Sequence, residues 1–179
     1  MTKLVILDRD GVINYDSTNY IKTVKEFIAI DSSINVIAKL NQNGFIVAIA
    51  TNQSGIGRGF YTLQTLEQMH AKLRAAVLAA GGELGEIKYC PHLPSDNCLC
   101  RKPKPKMLLD IIAFYKADAM QTYFVGDSFS DIKCAINANC IPVLAKTGKG
   151  KKTLQNNKLP INCLIFNDLA EFANYLIYK

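Results

Sequence analysis

Short apolar runs recur along the chain, each cut off by charge or by small polar residues: Leu4 to Leu7, Phe45 to Ala50, Ile87 to Cys90, Thr122 to Gly126, Ile141 to Leu144 and Cys163 to Phe166. Runs of this length without polar alternation are those of strands buried on both faces. Between several of them the apolar residues fall three or four apart, as on one face of a helix. Ile34, Ile37 and Leu40 precede Gly44, and Leu63, Leu66, Met69, Leu73, Ala76 and Ala80 precede Gly81-Gly82. Each of these patterns closes on a glycine stop. Two more helices are expected after Pro105 (Met107, Leu108, Ile111, Ile112, Tyr115) and after Ser128 (Ile132, Ala135, Ile136). A last one follows Asp168, which has capping-box spacing to Glu171. The stretch 91 to 103 reads as a loop and 146 to 162 as a polar, lysine-rich connection. Alternating strands and helices predict an α/β, three-layer Rossmann-like domain with a mainly parallel sheet, and a ligand site at the carboxyl ends of the strands.

At 179 residues the chain is expected to form one domain over 1–179, large enough to bury a core without disulfides. The apolar run near the N-terminus ends at Asp8, too early for a secretory segment, and no later run approaches membrane length. The cytoplasm is therefore the expected compartment, with the six cysteines reduced. A net charge of +6 and a pI near 9.0 fit either nucleic acid or an anionic small substrate. The lysines gather at Lys102, Lys104 and Lys106 and at Lys146, Lys149, Lys151 and Lys152, without the interleaved aromatic residues of a base-stacking surface. A solvated basic surface with a few phosphate ligands is the simpler reading.

Polar groups follow three of the expected strands: Asp8 and Asp10 after the first, Thr51 to Ser54 after the second, Asp127 and Asp131 after the fourth. A pair such as Asp8-Arg9-Asp10 also occurs as an exposed turn, and Asp131 has the place of a first-turn helix acid. Standing together at one end of a sheet, however, such carboxylates repel each other unless a cation joins them. Magnesium takes oxygen ligands and bridges to phosphate. The expected set is Asp8, Asp127 and one backbone carbonyl, completed by phosphate and water. An ionised aspartate is a competent nucleophile towards phosphorus, and a second carboxyl can protonate the leaving oxygen and then activate water. Thr51 and Asn52 offer donors, and Lys102 offers positive charge.

Cys90, His92, Cys98 and Cys100 give a C-x-H-x5-C-x-C pattern. Three thiolates and one imidazole suit a closed structural zinc site. Buried free cysteines are the alternative for Cys90, which ends an apolar run. The zinc loop, 90 to 103, runs into Arg101-Lys102, so ordering it places the lysine. Cys134, Cys140 and Cys163 lie in apolar contexts and read as packing residues.

Four motifs in order, DRDG at 8 to 11, TNQSG at 51 to 55, RKPKP at 101 to 105 and GDSFSD at 126 to 131, resemble those of the haloacid dehalogenase (HAD) superfamily of phosphatases. The resemblance implies a nucleophile at Asp8, a general acid and base at Asp10, phosphoryl binding by Thr51 and Lys102, and magnesium held by Asp8, Asp10, Asp127 and Asp131. The cysteine loop is similar to that of the branch containing the heptose-bisphosphate and histidinol-phosphate phosphatases, which lacks a large cap domain. Substrate contacts are implied at Asn14, Asp16, Thr51, Asn52, Gln53, Ser54, Arg101 and Lys102. The substrate implied is a small phosphorylated one, a sugar bisphosphate supplying heptose for lipopolysaccharide, with histidinol phosphate as the alternative. No nucleic-acid or membrane partner is implied, and a monomer is expected. A zinc-organised nucleic-acid module and a non-catalytic scaffold remain as readings of a different class.

Overall fold

The computed structural model describes residues 2–156 and 158–179; Met1 and Asn157, the latter within the expected connection, lie outside the described residues. Six strands form one sheet: β1 (Lys3–Leu7), β2 (Phe45–Asn52), β3 (Ile87–Cys90), β4 (Tyr123–Gly126), β5 (Ile141–Ala145) and β6 (Leu164–Phe166). Their order is β3-β2-β1-β4-β5-β6 and every pairing is parallel. Among the described residues six α-helices accompany them: α1 (Asp31–Gln42), α2 (Leu63–Ala79), α3 (Lys106–Tyr115), α4 (Phe129–Asn137), α5 (Gly150–Asn156) and α6 (Leu169–Tyr178).

Successive side chains of a strand point to opposite faces, and here both faces are covered. Val5, Leu7, Val47, Ile49, Val125 and Val143 pack with residues of α1, α2 and α6 in one core. Leu4, Ile6, Ala48, Ala50 and Phe124 pack with residues of α3 and α4 in the other. This is why the strands read as continuous apolar runs. It is the α/β, three-layer arrangement expected.

The chain order reverses at the middle of the sheet, since β2 and β3 lie on one side of β1 while β4 to β6 lie on the other. Such a switch point leaves a crevice at the carboxyl ends of the strands. Leu7 stands opposite Ile49 on β2 and Val125 on β4. Asp8 therefore leaves β1 between the ends of β2 and β4, level with Ala50 and Gly126 and one residue short of Thr51 and Asp127.

Two details differ from the sequence reading. Residues 150–156, expected within an irregular connection, form α5. Its sequence GKKTLQN has no apolar stripe; Thr153 is its anchor, donating through Oγ1 to the Asp127 carbonyl at 2.8 Å. The Asp168 cap exists, with Oδ1 accepting from Glu171 N at 2.8 Å, but Glu171 reaches back to Asn167 rather than to the cap residue. The reciprocal capping box instead starts α4, between Ser128 and Asp131.

Candidate active site

Asp8, Asp127 and Asp131 bring one carboxylate oxygen each to within 4.8 Å of one another, and all three are buried. Lys102 enters from the loop before α3, with Nζ 2.8 Å from Asp8 Oδ1, 2.7 Å from Asp131 Oδ1 and 3.0 Å from the Ala50 carbonyl. Three carboxylates against one ammonium leave a formal charge of −2 in a region removed from water. Burial and the neighbouring Asp131 and Asp127 push the Asp8 carboxyl up to about 7, against the pull of Lys102. Burial, again with Asp131, pushes Asp127 up to about 6. Burial alone would lower the Lys102 pKa, but Asp131 and Asp8 raise it, so the ammonium stays charged. A divalent cation bound by oxygen would neutralise the cluster, and magnesium fits that donor set.

Backbone geometry makes room for this cluster. Gly11, at φ +84°, sits against the Asp127 carboxylate, as does Gly148 at φ +48°; a Cβ at either position would run into it. Asp127 Oδ2 accepts from Lys149 N at 2.8 Å. Asp131 is fixed by the α4 cap, its Oδ2 accepting from Ser128 N at 3.0 Å and from Ser128 Oγ at 2.5 Å.

Asp10 has a different environment. Its carboxylate accepts from Arg9 Nε and one Arg9 terminal nitrogen, from Asn14 Nδ2 at 2.9 Å and from Gln53 Nε2 at 2.8 Å. Burial would raise its pKa, yet Arg9, Asn14 and Gln53 together hold it below the ordinary carboxylate value. Arg9 is only 1% exposed and lies over the Phe27 ring at 5.4 Å. Its other terminal nitrogen is 3.5 Å from His70 Nε2. Burial, then Arg9 and Arg74, press the His70 pKa down to about 4, so a neutral imidazole faces the guanidinium.

Asp8, Asp10, Thr51, Asn52, Gln53, Ser54, Arg101, Lys102, Asp127 and Asp131 all line one cavity of ≈ 470 Å³, together with Asp16 of the 16–20 loop. Four expectations change in detail. Asn14 is fully buried behind Asp10, donates to it and to the Tyr15 carbonyl, and is not among the residues that line the cavity. The Asn52 amide is occupied by the Lys102 backbone, accepting from its N–H at 3.1 Å and donating to its carbonyl at 3.3 Å. The Gln53 amide is likewise engaged by protein groups at both ends. The Asp10 carboxylate lies outside the three-carboxylate cluster, which leaves its main-chain carbonyl as the group it could offer a metal.

Cys90, His92, Cys98 and Cys100 converge at the end of β3. Neighbouring ligand atoms are separated by 3.5 Å (Cys90–Cys98), 3.6 Å (Cys98–Cys100), 3.6 Å (Cys90–His92) and 3.3 Å (His92–Cys100). The edges of a zinc tetrahedron are about 3.8 Å between sulfurs and about 3.5 Å between sulfur and nitrogen, from Zn–S and Zn–N lengths of about 2.3 and 2.05 Å. The four separations are close to such edges, all four ligand atoms lie within 4.8 Å of one another, and the cysteines are free rather than disulfide-bonded. The loop is tied to the lysine motif. Arg101 donates to the His92 carbonyl at 3.2 Å, and Lys104 Nζ donates to the carbonyls of Asn97 and Cys98 at 3.0 and 2.7 Å.

A family model described as HAD-hydrolase-like matches residues 99–172. The D-glycero-beta-D-manno-heptose-1,7-bisphosphate 7-phosphatase of Pseudomonas aeruginosa is 57% identical over 174 residues, covering 97% of each chain. The enzyme of the same name from Pseudomonas putida is 55% identical over 175 residues, 98% of this chain and 99% of its own. Among solved structures, D,D-heptose 1,7-bisphosphate phosphatase from B. bronchiseptica, complexed with magnesium and phosphate, superposes with a TM-score of 0.96 at 44% identity over 99% of both chains. The chain belongs to the HAD-like phosphatase family.

In this HAD-like phosphatase the sequence motifs account for the groups that face the cavity, but not for those that hold them. Arg9, which the sequence reading assigned no role, is fully buried. Tyr61, before α2, and His70, on it, back the Asp10 side of the site through Gln53 and Arg9. Lys149 read as part of a solvated basic cluster, yet it lines the cavity and pairs with Asp16 at 2.8 Å. Only the glycine before it, in TGKG, hinted that the backbone passes close to the site. Cys134 and Cys140 are buried packing residues whose thiols burial pushes up to about 12. Among the described residues, no helix is long and apolar enough to cross a membrane.

Proposed function

We propose that this phosphatase removes the 7-phosphate of D-glycero-β-D-manno-heptose 1,7-bisphosphate through an aspartyl-phosphate on Asp8. The observation that carries the reading is the 55–57% identity, over 97–98% of the chain, to enzymes named for that reaction. The cavity supplies the chemistry. The Asp8 carboxylate attacks phosphorus, forming the acyl-phosphate bond as the bond to the sugar oxygen breaks. Asp10 gives its proton to that oxygen, and then, as a carboxylate, takes one from the water that cleaves the acyl phosphate. Asp10 is poised as the base in the resting site; the negative charge of an arriving phosphate raises its pKa towards the acid form. Lys102 and Thr51 hold the phosphoryl oxygens, and Arg101 and Asp16 face the rest of the substrate.

Asp8 and Asp127, with Asp131 beside them and the Asp10 carbonyl, are the proposed magnesium ligands; bound magnesium supplies charge neutralisation at the phosphoryl group. Cys90, His92, Cys98 and Cys100 are the proposed structural zinc ligands, which leave no open coordination position. The chain is proposed to act as one domain and a monomer in the cytoplasm, on a small molecule rather than on nucleic acid or a membrane.

The test is phosphate release from heptose 1,7-bisphosphate and from histidinol phosphate, side by side. The expected result is the higher kcat/KM on the heptose ester, abolished in Asp8→Asn. Preference for histidinol phosphate overturns the substrate, and an active Asp8→Asn overturns the mechanism.

A further inference from the structure

Gln53 was expected to contact substrate, but its amide has no valence left for one. Oε1 accepts from Arg9 at 3.0 Å and from the Tyr61 hydroxyl at 2.6 Å, while Nε2 donates to Asp10 Oδ2 at 2.8 Å and to Thr51 Oγ1 at 2.9 Å. All four partners are protein groups.

The orientation of this amide is decided by charge. A guanidinium carries donors and no acceptor, so a buried Arg9 admits only the Oε1 end of Gln53. The Nε2 end must then point at Asp10 and Thr51. Flipping the amide would set two donors against each other at Arg9 and two acceptors against each other at Asp10. Each clash leaves a buried polar group unsatisfied, which is costly.

The consequence reaches Thr51. A hydroxyl that accepts a hydrogen bond from an amide still has its own proton to give. Gln53 is the Thr51 side chain's hydrogen-bond partner among the described residues, and Thr51 lines the cavity with Asp8 and Lys102. We infer that Gln53 is a positioning residue: it relays the fixed polarity of Arg9 to Thr51, so that the Thr51 hydroxyl is a donor towards the phosphoryl group, and it holds Asp10 in place on the same side. The inference rests on the proposed roles of Thr51 and Asp10. Tyr61 is the second lock on Oε1, and its phenol, pushed by burial up to about 12, stays protonated as the relay requires.

The relay separates from a packing role in a double-mutant cycle. Gln53→Met removes the amide at similar length, and Thr51→Val removes the hydroxyl at similar shape. If Gln53 acts by turning the Thr51 hydroxyl, Gln53→Met lowers kcat/KM by about 10- to 100-fold in the wild-type background and by at most a few-fold on top of Thr51→Val. Inhibition by inorganic phosphate weakens in parallel. Gln53→Glu is expected to be worse than Gln53→Met, because its carboxylate accepts the Thr51 proton instead of leaving it for the substrate. Equal fold-losses for Gln53→Met in both backgrounds overturn the relay, as does an unaltered kcat/KM. If Gln53→Met unfolds, Tyr61→Phe runs the same cycle, with a smaller loss of the same non-additive form expected and an additive one overturning the inference. All variants are assayed on p-nitrophenyl phosphate as well as on the sugar bisphosphate. Failure of the wild type on both, or activity in Asp8→Asn, sinks the phosphatase reading itself, whereas an additive cycle sinks only the relay.

Discussion

Lys102 Nζ lies 2.8 Å from Asp8 Oδ1, so the proposed nucleophile and the buried ammonium of the site are one ion pair. The same ammonium is 2.7 Å from Asp131. Lys102 thus has two roles in the proposed mechanism: it offers charge to a phosphoryl group, and it pairs with two of the three buried carboxylates. Lys102→Met should therefore do more than lower activity. Removing one partner of a buried ion pair costs about 3–5 kcal/mol, and the remaining carboxylates should then depend on a cation. The expected result is a lower melting temperature in chelator and a larger upward shift on adding magnesium than the wild type shows. Equal magnesium shifts in the two proteins would mean that the lysine does not share the work of neutralisation.

The zinc proposal is checked by metal content and activity together. Cys98 lies 3.5 Å from Cys90 and 3.6 Å from Cys100, and its carbonyl receives Lys104. Cys98→Ser should lower bound zinc well below one per chain and loosen the loop that carries Arg101 and Lys102. Activity should fall with zinc occupancy, because the loop supplies Lys102 to the site. Full activity at wild-type zinc stoichiometry in this variant argues against the site.

His70 gives a stability test with a defined sign. Its pKa falls from an ordinary 6.5 to about 4 in the folded protein, through burial and the facing Arg9. A depressed value means that the unfolded chain takes up the proton first. Its contribution is complete above about pH 6.5, declines as the pH drops, and is gone below about pH 4. The span corresponds to roughly 3 kcal/mol. His70→Gln should narrow the stability gap to wild type as the pH falls from 7 to 4, measured by urea unfolding. A gap independent of pH would show that the imidazole is not held neutral by Arg9.

The parts of the molecule that were legible in the sequence are those fixed by burial pattern. Strands β1, β2 and β4 lie between two cores, so each is a continuous apolar run, and the residue that ends or follows the run is by geometry at the site. Asp8, Thr51 and Asp127 were visible for that reason. Helix α5 was not, because it is polar and is anchored by one hydroxyl on the Asp127 carbonyl. Asn14, Asn52 and Gln53 lie at the expected end of the sheet, with amides engaged by protein groups that the sequence did not show. An amide next to a binding site looks the same in sequence whether it faces ligand or protein; only the positions of Asp10, the Lys102 backbone and Arg9 decide. Arg9 was invisible for a related reason: a charge between two acids is ordinarily solvated, and its burial depends on Phe27, Gln53 and His70 arriving from distant segments.

Lys149 carries the prediction about substrate choice. Its backbone N–H donates to Asp127 Oδ2 at 2.8 Å, while its ammonium pairs with Asp16 at 2.8 Å at the cavity wall. The backbone contact survives any change of side chain, so Lys149→Met should leave the Asp127 geometry as it is. The lost ammonium is a different matter. A substrate with a second phosphate presents an anion stronger than the Asp16 carboxylate, and Lys149 can exchange one for the other at the cost of a single exposed ion pair. A charge-assisted hydrogen bond of about 1.5–3 kcal/mol corresponds to roughly 10- to 100-fold in binding. Lys149→Met should accordingly raise KM for the sugar bisphosphate by about tenfold or more while changing kcat little, and should leave p-nitrophenyl phosphate hydrolysis close to wild type. A loss equal on both esters would place Lys149 with the reacting phosphate, and an unchanged KM on the bisphosphate would leave it as a partner for Asp16 alone.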